Sequence, residues 1–288
     1  MPSAAPSTSV QRTYRYLRIA IAGTVVVIFV AVGLAAASVG WLTSVSDYYY
    51  TPARDAFVGA LIAAALALVA LSGRGSDRAL LDAAALFAPL IALVPTTLAP
   101  GSIPGVPVPC SDRCVPPEFE ATTANGVATY LVIGVLTVLV VLLLAALGQV
   151  PFRAVGFSLV SSAAVLVVVG AAWLFARDAF LAHGHAVATI AFFALFAPVA
   201  VRAAFPRRES PPPPAFRAVY VAIALGLVAV LVVYVVLLPG ADARGIPVVL
   251  LAEAAALMLF FAFWVAQSIE KWDETDPGIV ARRDRSRP

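Results

Sequence analysis

Charge is what this chain has least of. Asp, Glu, Lys and Arg make up 12% of its 288 residues, against 62% hydrophobic ones, whereas a soluble domain carries about 25% charged residues. That shortage excludes a soluble globular protein, because a core of this size could not hide so much apolar surface. Lipid must be the solvent for much of the chain. Lysine is nearly missing, Lys271 being the one example. No basic face is interleaved with aromatic residues on a polar segment, so the chain carries no nucleic-acid signature. A Walker loop, a dinucleotide fingerprint, His-Glu-x-x-His and Gly-x-Ser-x-Gly are all absent, which removes the motif-based routes to nucleotide, metalloprotease and serine-hydrolase chemistry. No internal repeat is visible, so neither an inverted-repeat transporter nor a repeated pore element is supported.

What is there is a succession of long apolar segments. They run at about 17–42, 56–71, 79–98, 126–147, 157–175, 186–205, 216–238 and 246–268. Segments of about 20 residues fit a hydrocarbon layer of roughly 30 Å. The fold class is therefore all-α, a polytopic transmembrane helix bundle of eight spans. The first segment is longer than the 7–15-residue apolar core of a signal peptide, which favours an uncleaved span. Residues 1–16 read as a disordered tail, 17–269 as the membrane domain and 270–288 as a charged tail. Residues 99–125, rich in Pro and Gly, are expected to be non-helical, and the Pro-rich stretch 206–215 is expected to be an extended polyproline hinge.

The cationic residues give the orientation. With both termini in the cytoplasm, only Arg54, Arg113, Arg177 and Arg244 of the 19 Lys and Arg residues fall outside. That is a strong positive-inside bias, and it points to a multi-pass protein of the cell membrane. The same orientation puts Cys110 and Cys114, the only two cysteines, in the outer loop. Two thiols at Cys-x-x-x-Cys spacing without a nearby His are a weak metal signal, and an oxidised pair in an oxidising space is the better reading.

Ser44 to Gly59 is the densest polar and aromatic run between two apolar segments. It carries Asp47, Tyr48, Tyr49, Tyr50, Arg54 and Asp55. The topology puts these at the same depth as Arg177, Asp178, His183 and His185, with Glu253 a short way into the last span. An ionised carboxyl at such a depth costs about 2.5–3.5 kcal/mol on insertion scales, so it should face the bundle and have a partner. Arg54, His183 and His185 are the candidate partners. The functional reading is a polar pocket of Asp47, Tyr48, Tyr49, Arg54, Asp55 and Glu253. Asp55, His183, His185 and Glu253 are its candidate catalytic residues or zinc ligands. The structural reading has Arg54 paired with Asp55 or Glu253 and both imidazoles in the headgroup layer. The tyrosines fit an interfacial aromatic belt or a site for a lipid headgroup or carbohydrate. Asp82 is expected to cap a helix or to pair with Arg78.

The run Tyr48-Tyr49, Arg54-Asp55 and Phe57-Val58-Gly59 resembles a family of uncharacterised bacterial integral membrane proteins with a Ser-x-Ser-x-Tyr-Tyr-x-x-x-Arg-Asp-x-Phe-Val-Gly signature. The likeness continues in Val94-Pro95-Thr96, in His185 with Phe192-Phe193, and in Glu253-Ala254. The fourth and fifth spans and the cysteine loop depart from it. The resemblance implies no known activity. Its general look is distantly similar to membrane hydrolases of the ceramidase and progestin-receptor-like superfamily. Those hold zinc with three histidines and an aspartate, a set that the two histidines here cannot complete. The reading is an integral membrane protein with a polar pocket at the outer helix ends and no assigned reaction. The alternatives are a metal-dependent membrane lipid hydrolase and a small-solute or proton-coupled carrier using Glu253 and Arg54.

Overall fold

Backbone polar groups have no water to bond to inside a bilayer, so apolar segments close their hydrogen bonds within themselves as helices. The computed structural model, which describes residues 8–72, 76–206, 211–237 and 247–273, follows that rule. Its helices are α1 (Ser9–Val39), α2 (Arg54–Leu71), α3 (Ser76–Leu93), α4 (Pro117–Ala146), α5 (Phe152–Phe175), α6 (Arg177–Ala204), α7 (Pro214–Leu237) and α8 (Val248–Glu270), with a 3-10 turn at Ser46–Tyr50. Seven of these are long and apolar enough to cross a membrane; α3 has only the shorter apolar stretch Ala79–Leu93. The chain is a polytopic helical membrane protein. Residues 1–7 and 274–288 of the predicted tails, residues 73–75 before α3, residues 207–210 of the polyproline stretch and residues 238–246, which include Arg244, lie outside the described residues.

Four boundaries differ from expectation, each for a local reason. The N-terminal tail is helical from Ser9, because Thr8 and Gln11 form a reciprocal capping box. The loop predicted at 99–125 ends early: Pro117 opens α4 at a position where a proline's missing N–H costs nothing. The third span stops at Leu93 rather than Leu98, since Pro95 biases Val94 away from helix. The polar stretch 176–185 is not a connection but the first turns of α6, which starts one residue after α5 ends, with only Ala176 between them.

Six helices form a closed ring in the order α1, α2, α3, α6, α7, α8, with α8 returning to α1. The pair α4–α5 packs beside this ring against α3 and α6. Its apolar side chains, Ile133, Leu136, Leu139 and Leu143 among them, are exposed. In water such a surface would be an aggregation site; in a bilayer it is the lipid contact. The ring interior is filled. Phe192 and Phe196 of α6 pack tilted or edge-on against Phe260, Phe263 and Trp264 of α8, and Tyr220 of α7 packs on Phe263. Aromatic pairs at such centroid distances gain energy beyond their buried area.

The two ends of the ring are built differently. At the terminal end α1 clasps the end of α8. The Gln11 side chain donates to the Asp273 carbonyl, Arg15 bonds the Trp272 carbonyl and pairs with Asp273, and buried Arg18 donates to the Lys271 carbonyl. Tyr220 donates to Glu270 and accepts from Gln267 at 3.0 Å. The predicted 270–288 tail is therefore anchored at its start. At the opposite, tyrosine end lie the 3-10 turn and the loop closed by the Cys110–Cys114 disulfide.

Tyr220→Phe keeps the ring in the aromatic core and removes only the hydroxyl that holds Glu270 and Gln267. It should lower stability in detergent by about 1–3 kcal/mol, the cost of stranding buried polar partners. An unchanged thermal midpoint would show that the clasp does not hold α8.

Candidate functional site

The connection after α1 folds back onto the bundle end, and its side chains from Ser44 to Tyr50 are buried. Gly40 turns the chain at φ 84°, a backbone region that favours glycine. Tyr48 then inserts completely: its hydroxyl donates to the Gly40 carbonyl at 3.1 Å and accepts from the Leu42 amide at 3.2 Å. Tyr50 donates to the Thr96 carbonyl at 2.6 Å, and burial pushes its phenol well above the ordinary range. Tyr49 packs on Phe119 of α4. All three tyrosines are buried, so they staple the turn to its surroundings rather than form an interfacial belt.

The fold brings two serines of this turn onto Glu253. Ser44 Oγ donates to Glu253 Oε2 at 2.8 Å, Ser46 N–H reaches the same oxygen at 3.2 Å, and Ser46 Oγ lies 2.7 Å from Oε1. On the other side of that hydroxyl, His185 Nε2 lies 2.8 Å from Ser46 Oγ. His185 Nδ1 lies 2.7 Å from the Val94 carbonyl. That carbonyl is available because a helix end leaves its last carbonyls without intrahelical partners.

A carbonyl only accepts, so His185 Nδ1 must carry hydrogen toward Val94. Neutral imidazole then has a bare Nε2 that must accept. The Ser46 hydroxyl has one proton but two neighbours that would each accept it. Both short contacts are satisfied only when the chain holds one further proton. It can sit on Glu253, which donates to Ser46 while Ser46 donates to His185. Or it can sit on His185 Nε2, which donates to Ser46 while Ser46 donates to a Glu253 carboxylate. The heavy atoms need not move between the two arrangements. With no extra proton, two lone pairs face each other across one contact; with two, the Ser46 hydrogen loses both acceptors.

Asp47 sits beside this chain. Its Oδ2 accepts from Thr43 Oγ1 at 2.7 Å, and its buried Oδ1 has no hydrogen-bond partner among the described residues. Burial pushes its carboxyl up to about 6, against the opposing Thr43 bond; the Glu253 charge raises it further, and Arg113 and His185 lower it.

The remaining predicted residues go elsewhere. His183 and His185 are two positions apart on a helix, about 200° around its axis, so His185 is buried and His183 exposed. Asp55 is exposed in the first turn of α2. It lines a cleft of about 450 Å³ with Tyr49 and Arg54. Arg54 donates to Tyr49 Oη at 2.8 Å and lies over the Tyr49 ring at 4.5 Å, so neither Asp55 nor Glu253 is its partner. No group of three or more His, Cys, Asp or Glu is arranged to hold a metal ion among the described residues. Asp82 accepts from Ser158 Oγ of α5 at 2.7 Å; the Arg78 side chain, its expected partner, lies outside what is described. Ser44, Ser46 and Val94 were not expected as site residues. The signal for them was the Ser-x-Ser spacing and the proline that ends α3.

No family model matches the chain, and neither do any curated proteins or solved structures.

Because Asp47 holds its proton more tightly folded than unfolded, its contribution to stability is present below its ordinary value near 3.8 and is lost as pH rises through about 6. Asp47→Asn should therefore stabilise the detergent-solubilised protein at pH 7.5 by about 1–3 kcal/mol, with the gain vanishing near pH 4. Thermal midpoints across that range decide it; a pH-independent effect would contradict the assignment.

Proposed function

We propose that this protein is a proton-coupled small-solute carrier of the cell membrane, with both termini in the cytoplasm and the tyrosine end outside. Its proton site is Glu253, Ser46 and His185. The observation that carries this reading is the single hydroxyl between a carboxyl and an imidazole, satisfied at both contacts only when one proton is shared. Ionisable side chains inside a membrane bundle are expensive, and proton relays are a common reason for keeping them. The side chains meet from the first connection, α6 and α8, so the proton bears directly on how these three segments pack. Orientation rests on the distribution of Arg and Lys and on the disulfide loop.

A hydrolase fits the same residues less well. In a nucleophile–base–acid arrangement the carboxylate orients the imidazole. Here the carboxyl is bonded to the serine, and the imidazole's second nitrogen is bonded to a backbone carbonyl. Ser46 is buried, with no approach for a lipid ester. A zinc site would need His183 and Asp55 to join His185 and Glu253. His183 is on the opposite side of its helix, and Asp55 lines a cleft with Arg54. The likeness to the uncharacterised bacterial family supports no activity by itself. Yet the stretches that carry it supply Ser44 and Ser46, Val94, His185 and Glu253 to this one network.

The test is uptake by proteoliposomes given a small-metabolite extract under an imposed pH gradient, with internal solutes identified by mass spectrometry. At least one solute should accumulate in a way that a protonophore abolishes. Glu253→Gln, which keeps the shape and the hydrogen bonds of the neutral acid, should lose that accumulation while folding normally. Finding no gradient-driven solute, or unchanged uptake in Glu253→Gln, would overturn the carrier reading.

A further inference from the structure

The cleft between α2, α3 and the start of α4 has a chemistry of its own, independent of the proton site. The geometry points to a binding site for the headgroup of a phosphoethanolamine lipid, with Arg54 on the phosphate and Asp55 on the ammonium. The cleft, about 450 Å³, carries both residues in its wall together with Tyr49 and Thr122. Arg54 makes no ion pair among the described residues and is half-buried. Its guanidinium is fixed from behind: it lies 4.5 Å from the centre of the Tyr49 ring and 5.7 Å from that of Phe119, and one nitrogen donates to Tyr49 Oη. A guanidinium has five donors in a planar fork. One being used on Tyr49, the rest can meet an anion, and phosphate is the anion that matches the fork bidentately.

Three observations narrow the ligand. Asp55, next in sequence and exposed, places a carboxylate beside the cation in the same cleft, which suits a zwitterion better than an anionic headgroup. The aromatic faces that would cage a quaternary ammonium are already covered by Arg54, so a primary ammonium donating hydrogen bonds to the carboxylate fits better than choline. One helical turn further along α2, Val58 and Gly59 face Ala92 and Leu93 of α3 across the same cleft, an apolar wall suited to the start of an acyl chain. A side chain at Gly59 would meet no atom within 4 Å at its Cβ. The space there is open, and a glycine is not required by the backbone.

Native mass spectrometry tests this on protein reconstituted with equal amounts of phosphatidylethanolamine, phosphatidylglycerol and phosphatidylcholine of matched chains. The wild type should retain phosphatidylethanolamine in preference to both others. Arg54→Gln should lose retained phospholipid. Asp55→Asn should still hold phospholipid but lose the preference over phosphatidylglycerol. Gly59→Leu should fill the cleft and lose retention with an unchanged thermal midpoint, which separates loss of the site from loss of fold. Equal retention of the three lipids by the wild type, or a preference that survives both Asp55→Asn and Gly59→Leu, would overturn the site.

Discussion

The Ser46 hydroxyl has one hydrogen and two demanding neighbours, and much of the tyrosine end is arranged around that fact. Glu253 Oε1 and His185 Nε2 lie 2.7 and 2.8 Å from the same oxygen. In a medium of low polarity, an unsatisfied contact of this kind is costly and a satisfied chain is correspondingly strong. The three side chains come from the first connection, α6 and α8, and the backbone just after α3 supplies the fourth member through Val94. The network thus does two jobs with the same atoms. It holds the first connection, the end of α3, α6 and α8 together, and on the carrier proposal it makes their packing answer to one proton.

The rest of the ring gives this network its setting. Beyond it toward the terminal end lies the packed set of Phe192, Phe196, Phe260, Phe263 and Trp264. Beyond that, α1 is clasped to the end of α8 by Arg15 and Arg18, and α7 is joined to α8 by Tyr220 and Gln267. The tyrosine end is joined instead by a short turn, by phenol hydroxyls and by a disulfide loop whose Leu98 and Cys114 bond each other in an isolated bridge. On the carrier proposal, coupling of a proton to movement belongs at the tyrosine end. Asp47, a buried acid with one oxygen unpartnered among the described residues, belongs to the turn Ser46–Tyr50 at this end.

The fold class was legible in the sequence because composition and segment length are governed by the bilayer, which acts on every residue alike. The site was half legible. Glu253 stood out because a carboxyl in an apolar segment is expensive, and His185 because histidine is so rare here. Their convergence on one hydroxyl was not visible, since serine is cheap anywhere and Ser46 is separated from His185 by 139 positions and from Glu253 by 207. His183 misled for a specific reason: a His-x-His pair suggests joint ligation on an extended backbone, and this one lies on a helix that turns the two rings to opposite sides. Arg54 misled through charge alone. It sits against aromatic rings, a partner that charge pairing does not anticipate. The tyrosines carried the belt pattern, yet a glycine turn and two carbonyl acceptors within reach, Gly40 for Tyr48 and Thr96 for Tyr50, drew that turn inside.

Where the ring protons of His185 lie is the direct test of a proton shared through Ser46. Nitrogen-15 NMR of the protein labelled at histidine, recorded against pH in a bilayer, reads this directly, with His183→Gln leaving one signal. The chain predicts that Nδ1 stays protonated throughout, hydrogen-bonded to Val94, while Nε2 alone changes state and does so together with the Glu253 carboxyl. A bare Nδ1 with a protonated Nε2, or an Nε2 signal indifferent to Glu253→Gln, would contradict it.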